Sequence, residues 1–538
     1  MSGGEALDAR TLAQLESASA RAWEDFLCNR VWVAERRAHG WLHLLPAALA
    51  AAQHGGKDTL VDEDTLVVLA DLAYIAGAVR GDKCVLQQAL SAYDAFLERA
   101  PASINAMRMR AETLLRLQRP VAACDAFARM YAHTLGSAHV ELEVASFRLI
   151  HDAEALEHAV RCGADAALLE RARSWRSLAT LLEESAPPNR YSRDLCATTQ
   201  LMKHRMHHRA EVCEESAPLR RTRLRDLTTE QRLLLGGTYG EPLPLPPKPP
   251  AGTSSLAAVA APARFDCGHW RPGTPILTPQ PWSALEASYT TDRLVVIDNL
   301  LSPSALHELQ SYAAHGCHFR SMRAGYLGAF PTDGALHPLL IEVAAALASA
   351  APRIFDGHPL ALWWLFKYSE HQPAGIGLHA DPAAVNVNLW LTEDDAWREG
   401  GGLIIYRHVL PLEQPTQAAN REFESKGHEA ELRAQLTPHG RSRISYKCNR
   451  AVIFRSDQWH ESEPFVFESG YTERRLNLTF LFGDRWKFGG DGCRTYRGCT
   501  RLAPPSDGSA ASVPPSAAQD LGGAAILDAD AGWDVFSD

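Results

Sequence analysis

No Cys-x-x-Cys pair occurs in the 538 residues, and the eleven cysteines are scattered instead of forming a dense framework. That excludes the common zinc-ribbon and dithiol-redox spacings and the disulfide-stapled secreted scaffold. Also lacking is any apolar run of membrane-spanning length. The longest candidate, "GWLHLLPAALAAAQHGG", is short and carries a His and a Pro. The opening "MSGGEALDARTLAQLESASARAWEDF" has no basic-then-apolar layout, so no signal peptide is expected. Reduced thiols in an intracellular, cytoplasmic protein, away from membranes, are the simpler expectation. Extreme charge is missing too: a net charge of −10 over this length argues against tight, non-specific nucleic-acid binding.

What is present falls into stretches of different texture, and the length accommodates two to four domains. Residues 1–235 are rich in Ala, Leu, Arg and Glu and poor in Gly and Pro, which is helical composition. A repeat lies inside. Ala89 and Tyr93 in "ALSAYDAFLERAP" recur as Ala123 and Phe127 in "AACDAFARMY", thirty-four residues later, and Gly77 and Ala111 keep the same spacing. Small residues there let helices approach, and the aromatic fills the groove between units. The layout resembles the tetratricopeptide repeat, with two units matched and "HVELEVASFRLIHDAEALEHAVRCG" as a shorter third. Ala73 and Met107 stand where that family has Trp, so a plain helical bundle stays open. The resemblance implies a protein or peptide partner held by the repeats.

Residues 236–263, "GGTYGEPLPLPPKPPAGTSSLAAVAAPA", read as a Pro-rich, semi-rigid linker. The tail 500–538 is low-complexity and acidic, and is expected to be disordered. "LMKHRMHHRAEVC" gathers His204, His207, His208 and Cys213 but lacks a second ligand pair at finger spacing, and reads as a solvated helix face.

Residues 264–490 switch to strand grammar: "DRLVVIDNLL", "LALWWLFKY", "AVNVNLWLT", "GGLIIYRH", "NRAVIFRS", "RLNLTFLFG". Many short strands separated by turn-rich loops argue for a sandwich or barrel, with one clear helix beginning at Ser302 and Pro303. In "GLHADPAAVNVNLWL", His379 and Asp381 stand two apart at the mouth of a strand, and "NRAVIFRSDQWHESEPF" supplies His460 after another. Two imidazoles and one carboxylate, with the remaining positions open, are the ligand set of a non-haem Fe(II) oxygenase. His358, His371, His408, His428 and His439 are competitors, but only His460 precedes a strand opening with arginines, "RRLNLTFLFG". A cosubstrate ending in a carboxylate wants a guanidinium. Parity places Arg475, Asn477 and Thr479 on the polar face and Arg474 with Leu476, Leu478, Phe480 and Phe482 on the other, which selects Arg475 and keeps Arg474 as the rival.

Taken in order, "FKYSEHQPAGIGLHAD", "NLWLTEDDAW", "GGGLIIY", "RAVIFRSDQWHESEPF" and "RRLNLTF" resemble the 2-oxoglutarate- and Fe(II)-dependent dioxygenases, in their prolyl-hydroxylase-like branch. The blocks run from about Leu362 to Gly483, with a looser match back to "RLVVIDNLLSPSALHEL". The resemblance implies a double-stranded β-helix, a jelly roll with the metal at its open end. It implies His379, Asp381 and His460 as catalytic Fe(II) ligands, and Arg475 with Asn477 at 2-oxoglutarate. Tyr368 sits where relatives place a hydroxyl on the same carboxylate, although the segment to His379 is slightly longer here. Asn388, with Asn386, either lines the pocket or faces solvent. The implied cosubstrates are 2-oxoglutarate and O2, with ascorbate as an accessory reductant. Relatives acting on alkylated nucleic acid carry a further arginine where this chain has Leu481, which argues against that substrate. The implied reaction is hydroxylation of a C–H bond, on a protein side chain of prolyl type. A small-molecule hydroxylase or a catalytically dead scaffold are the alternatives. The polar insert from about Pro411 to Arg443 reads as a lid over the open end.

Overall fold

The computed structural model describes residues 9–27, 30–53, 63–137, 143–184, 222–223, 226–235, 270–315, 319–323, 325–368, 371–372, 376–411, 416, 420 and 429–488. The proposed linker, the His204–Cys213 stretch and the tail lie outside these residues. Between Ala9 and Glu184 the described chain is almost wholly helical: α1 Ala9–Leu27, α2 Val31–His39, α3 Leu45–Gln53, α4 Glu63–Arg80, α5 Lys83–Arg99, α6 Ile104–Arg116, α7 Pro120–Ser137, α8 Ser146–Arg161 and α9 Leu168–Glu184. Caps set the boundaries. Asp82 accepts from the N–H groups of Cys84 and Val85 at 2.9 and 3.2 Å and starts α5. Ser103 starts α6, and Pro120 occupies the first turn of α7, where its missing N–H costs nothing. The hairpins α4–α5 and α6–α7 stack through α5 and α6. Gly77 lets the first hairpin close, because a Cβ there would stand 2.8 Å from Leu86 Cγ. Ala89, Tyr93, Ala111, Ala123 and Phe127, the repeat positions, are all buried.

The second half is built from antiparallel strands: β1 Leu294–Ile297, β2 Ser321–Arg323, β3 Tyr326–Ala329, β4 Leu360–Tyr368, β5 His371–Gln372, β6 Val385–Trp390, β7 Trp397–Gly400, β8 Leu403–Val409, β9 Arg441–Ile444, β10 Ala451–Arg455, β11 Gln458–Ser462, β12 Phe465–Phe467 and β13 Leu476–Phe482. Seven form one sheet in the order β1-β10-β6-β13-β4-β3-β2. The facing layer consists of two three-stranded sheets, β9-β8-β11 and β5-β12-β7. From β6 onward the chain crosses repeatedly between layers, which is the alternation of a jelly roll. Trp364, Phe366, Val452, Phe454 and Leu481 of the large sheet meet Leu403, Ile405, Ile444, Phe465 and Phe467 of the other layer in one apolar cluster.

Period-two alternation gives the large sheet a second buried face. Val385, Val387, Leu389, Leu476, Leu478, Phe480 and Phe482 share a core with the amino-terminal helices. Phe127 meets Trp363 edge-on at 6.4 Å, and Tyr131 covers Gly334, where a Cβ would lie 2.8 Å from its ring. Arg116 grips Asp484 through two hydrogen bonds of 2.8 and 3.1 Å, and Arg474 grips Glu154 at 3.0–3.2 Å. The helical hairpins therefore lie against the sheet and share its hydrophobic core.

Among the described residues, three helices of eleven or more residues accompany the strands on this side: α10 Trp282–Asp292, α11 Pro303–His315 and α12 Pro338–Ala350. Of these, α11 is the helix expected from Ser302, whose hydroxyl accepts from the Ala305 N–H at 3.4 Å. Leu309 and Tyr312 are buried as expected, while Leu306 is only partly so. α12, "PLLIEVAAALASA", is apolar around most of its circumference and carries no helical stripe to read. No helix among the described residues is long and apolar enough to cross a membrane.

Candidate metal centre

His379 and His460 face each other across an isolated antiparallel bridge, each N–H donating to the other's carbonyl at 2.9 and 2.8 Å. Two residues on, the Asp381 N–H donates to Ser456 O at 3.0 Å. This pairing aligns the loop before β6 with β11, and the two-residue step returns Asp381 to the side on which His379 projects. Nε2 of His379 stands 4.0 Å from Asp381 Oδ1, and Nε2 of His460 stands 3.5 Å from Oδ2. Ligating atoms of the three residues all lie within 4.8 Å of one another.

The other ring nitrogen of each histidine is committed. Nδ1 of His379 meets Gly377 O at 2.8 Å, and Nδ1 of His460 meets Gln458 O at 2.9 Å. Carbonyls accept, so the protons sit on Nδ1 and the Nε2 lone pairs turn toward Asp381. Burial opposes ionisation of Asp381, but the imidazoles of His460 and His379 beside it and the Asn386 amide outweigh it and hold the carboxyl below its usual range. Two imidazoles and a carboxylate, with no thiolate, fit an Fe(II) site of the two-histidine, one-carboxylate class.

A buried polar line leads inward from Asp381. Asn386 donates to Asp381 Oδ2 at 2.7 Å, and Asn388 donates to Asn386 at 2.7 Å. Asn477 and Thr479 reach Asn388 at 3.0 and 3.1 Å. The choice between pocket and solvent for Asn386 and Asn388 is thus resolved in favour of the interior. Arg475 lies on this same face and is only 1% exposed. Its Nε donates to Gly401 O at 3.1 Å, and its guanidinium lies 4.7 Å from the Tyr368 ring and 5.2 Å from Phe465. Arg474 points the opposite way, into its pair with Glu154.

One guanidinium nitrogen of Arg475, Nη1, is buried without a hydrogen-bond partner. So are Tyr326 Oη and Trp390 Nε1. These three donors occupy neighbouring strands: Tyr326 pairs with Tyr368, the Tyr368 N–H bonds Arg475 O at 3.0 Å, and Trp390 pairs with Asn477. Buried orphan donors are costly, and three on one interior face call for an anionic acceptor. The Asn477 carbonyl oxygen also lacks a partner. Sequence reading missed Tyr326 and Trp390, since only the strand register brings Tyr326 beside Tyr368. Tyr368 itself lies as a flat surface against Arg475.

The insert bears directly on the His379–Asp381–His460 group. Asn420 accepts from the Ala380 N–H and donates to its carbonyl, both at 3.0 Å, and Ala380 is the residue between His379 and Asp381. Leu432 and Leu436, on α13 Glu429–Leu436, pack with Leu378, Ala380 and Trp459, which flank the two histidines. Arg433 pairs with Glu461 at 2.6 Å, next to His460. Arg485 holds Thr416 Oγ1 at 2.9 Å and the carbonyls of Leu410 and Pro411. Gly400, at φ +63°, takes a left-handed turn, and any Cβ on it would strike Pro464 O. That close approach carries Gly401 O to Arg475.

The chain matches no protein-family model and no curated protein. Among solved structures, a prolyl-4-hydroxylase of Pseudomonas putida is similar at 15% identity over 38% of this chain and 99% of that one, with a TM-score of 0.26. HygX of Streptomyces hygroscopicus, with nickel and 2-oxoglutarate bound, is similar at 14% identity over 38% and 88%, with a TM-score of 0.27. The non-haem α-ketoglutarate-dependent epimerase SnoN, of nogalamycin biosynthesis, is similar at 16% identity over 38% and 83%, with a TM-score of 0.29. Likeness at this level carries no function to this chain.

Proposed function

We propose that the protein is an Fe(II)- and 2-oxoglutarate-dependent dioxygenase that hydroxylates a C–H bond. The observation that carries this reading is the conjunction, on one interior face, of the His379–Asp381–His460 set with the three unpartnered donors of Arg475, Tyr326 and Trp390. Bound to the triad, iron would supply activation of O2, one atom entering succinate as 2-oxoglutarate loses CO2 and the other entering the substrate C–H bond. His379 and His460 keep Nε2 aimed at the metal through their Nδ1 protons, and Asp381 supplies the balancing charge. Arg475 takes the distal carboxylate of 2-oxoglutarate, with Tyr326 and Trp390 as further donors. Tyr368 fixes the guanidinium plane, and the Asn386–Asn388–Asn477 line fixes the carboxylate of Asp381. The apolar walls around Phe454, Phe366 and Leu481 keep bulk water away.

A protein side chain, proline above Asn, Asp or Lys, is the substrate class we propose, and a helical, repeat-type module joined to blocks that resemble the prolyl-hydroxylase-like branch motivates it. The hairpins α4–α5 and α6–α7, read as tetratricopeptide-like, would bind a partner by faces other than that of Phe127 and Tyr131, which the sheet covers. Substrate recognition then falls to the insert anchored at Asn420.

The test is oxygen-dependent succinate release by iron-loaded protein, followed by peptide mass spectrometry for a gain of one oxygen. Succinate release with an oxidised peptide supports the whole reading. An oxidised metabolite in place of a peptide transfers the substrate to small molecules. Failure to turn over 2-oxoglutarate in the iron-loaded protein leaves a scaffold.

A further inference from the structure

A second ligand cluster stands where the helical region meets the strand-bearing half. His158 and Cys162 are four residues apart, at the last turn and cap of α8, and so share one side of the helix. His315 is the last residue of α11. The rings of His158 and His315 stack, with centroids 4.9 Å apart and planes 21° from parallel. Cys162 Sγ lies 3.6 Å from His158 Nε2, and ligating atoms of all three residues lie within 4.8 Å of one another. Two helix C-termini converge here, and their outward carbonyls favour a cation.

We infer that His158, Cys162 and His315 form a second metal site, of the thiolate–imidazole class, that takes zinc. Zinc–sulfur and zinc–nitrogen bonds of about 2.3 and 2.0–2.1 Å put sulfur and nitrogen about 3.5 Å apart in a tetrahedron. The Cys162–His158 separation of 3.6 Å already has that value. A soft thiolate with two imidazoles and no carboxylate selects zinc, whereas the carboxylate-containing set at Asp381 suits Fe(II), so the two sites differ in the metal they prefer. Cys162 is exposed, which gives an ion its entry path, and its thiol proton leaves to solvent as the metal–sulfur bond forms. The ion would staple α8 to α11 and thereby the helical region to the catalytic half. The site consists of these three residues; Cys317 and His318, next in the sequence, lie outside the described residues. It stands independently of the iron reading.

Cobalt(II) is the probe. Full-length protein titrated anaerobically should develop a sulfur-to-cobalt charge-transfer band, saturating at about one equivalent in His379→Ala and by about two in the wild type, where the His379–Asp381–His460 set also takes the ion. Cys162→Ser should abolish the band, His315→Ala should weaken cobalt affinity by about tenfold or more, and His379→Ala should leave the band intact. Zinc should displace the cobalt. A second readout needs no variant of the thiol: zinc should slow alkylation of Cys162, measured by peptide mass spectrometry, in the wild type and not in His315→Ala. No band in the wild type, an undiminished band in Cys162→Ser, or alkylation indifferent to zinc would each overturn the site.

Discussion

Arg475 and Arg474 are adjacent in sequence and serve opposite faces of one strand. Arg475 lies inside against Tyr368 with one nitrogen unpartnered, while Arg474 ties β13 to Glu154 of α8. Loss of a charge-assisted pair with a carboxylate costs about 1.5–3 kcal/mol. Arg475→Ala should therefore weaken 2-oxoglutarate binding by about 10- to 100-fold by anaerobic titration, and Arg474→Ala should leave it unchanged. An equal effect of both would contradict the parity assignment. Tyr326→Phe separates binding from folding. It removes a buried hydroxyl that has no partner without the ligand, so Tm should hold or rise, while 2-oxoglutarate affinity falls by about 3- to 10-fold. A drop in Tm with unchanged affinity would make Tyr326 structural. The grouping of His379, Asp381 and His460 and the inward position of Arg475 were legible, because residue type, spacing and strand parity point to them. Tyr326 and Trp390 were not legible, because their proximity arises from which strands become neighbours.

At the scale of elements, register is what the site depends on. A one-residue slip of β13 would send Arg475 out to Glu154 and bring Leu476 and Leu478 into the polar pocket. The apolar face of β13, packed on the helical region, forbids it. The strands themselves were readable from period-two alternation, whereas α12 was not, since a helix buried on most sides carries no stripe. The insert was readable as an interruption between strands but not as a support for Ala380, which rests on Asn420. Asn420→Ala removes both hydrogen bonds to Ala380, a loss of about 1–2 kcal/mol. The expected result is weaker Fe(II) affinity with 2-oxoglutarate affinity measured at saturating iron unchanged. A variant that binds iron as the wild type does would reduce the insert to a surface feature.

For the whole molecule, the amino-terminal helices and the large sheet bury one shared core, so both should unfold in a single transition. Calorimetry and near-ultraviolet dichroism should give coincident midpoints, and two separate transitions would contradict the shared core. Their junction also has a pH signature. His151 is buried against Phe319 and Tyr471, and burial pushes its imidazole down to about 3, over the opposing pull of Asp152 and with Lys367 and Arg474 adding to the depression. The unfolded chain takes up that proton near pH 6.5 and the folded one only near 3, so the stability this neutral histidine permits is lost as pH falls across that window, by at most about 1.4 kcal/mol per pH unit. Burial opposes ionisation of Asp152, but Arg148 beside it outweighs this and holds the carboxyl below its usual range, so the stability its charge contributes is lost in the same direction at lower pH. His151→Gln should flatten the decline in Tm between pH 6.5 and 4, and an unchanged slope would assign it elsewhere. In the proposed function, one interior face holds both iron and 2-oxoglutarate. Its most direct measurement is anaerobic titration of the full chain with Fe(II) and 2-oxoglutarate, followed by the visible metal-to-ligand charge-transfer absorbance. The expected absorbance forms in the wild type, is absent in His379→Ala and requires about 10- to 100-fold more 2-oxoglutarate in Arg475→Ala. A wild type that binds neither, or an absorbance untouched by His379→Ala, would contradict it.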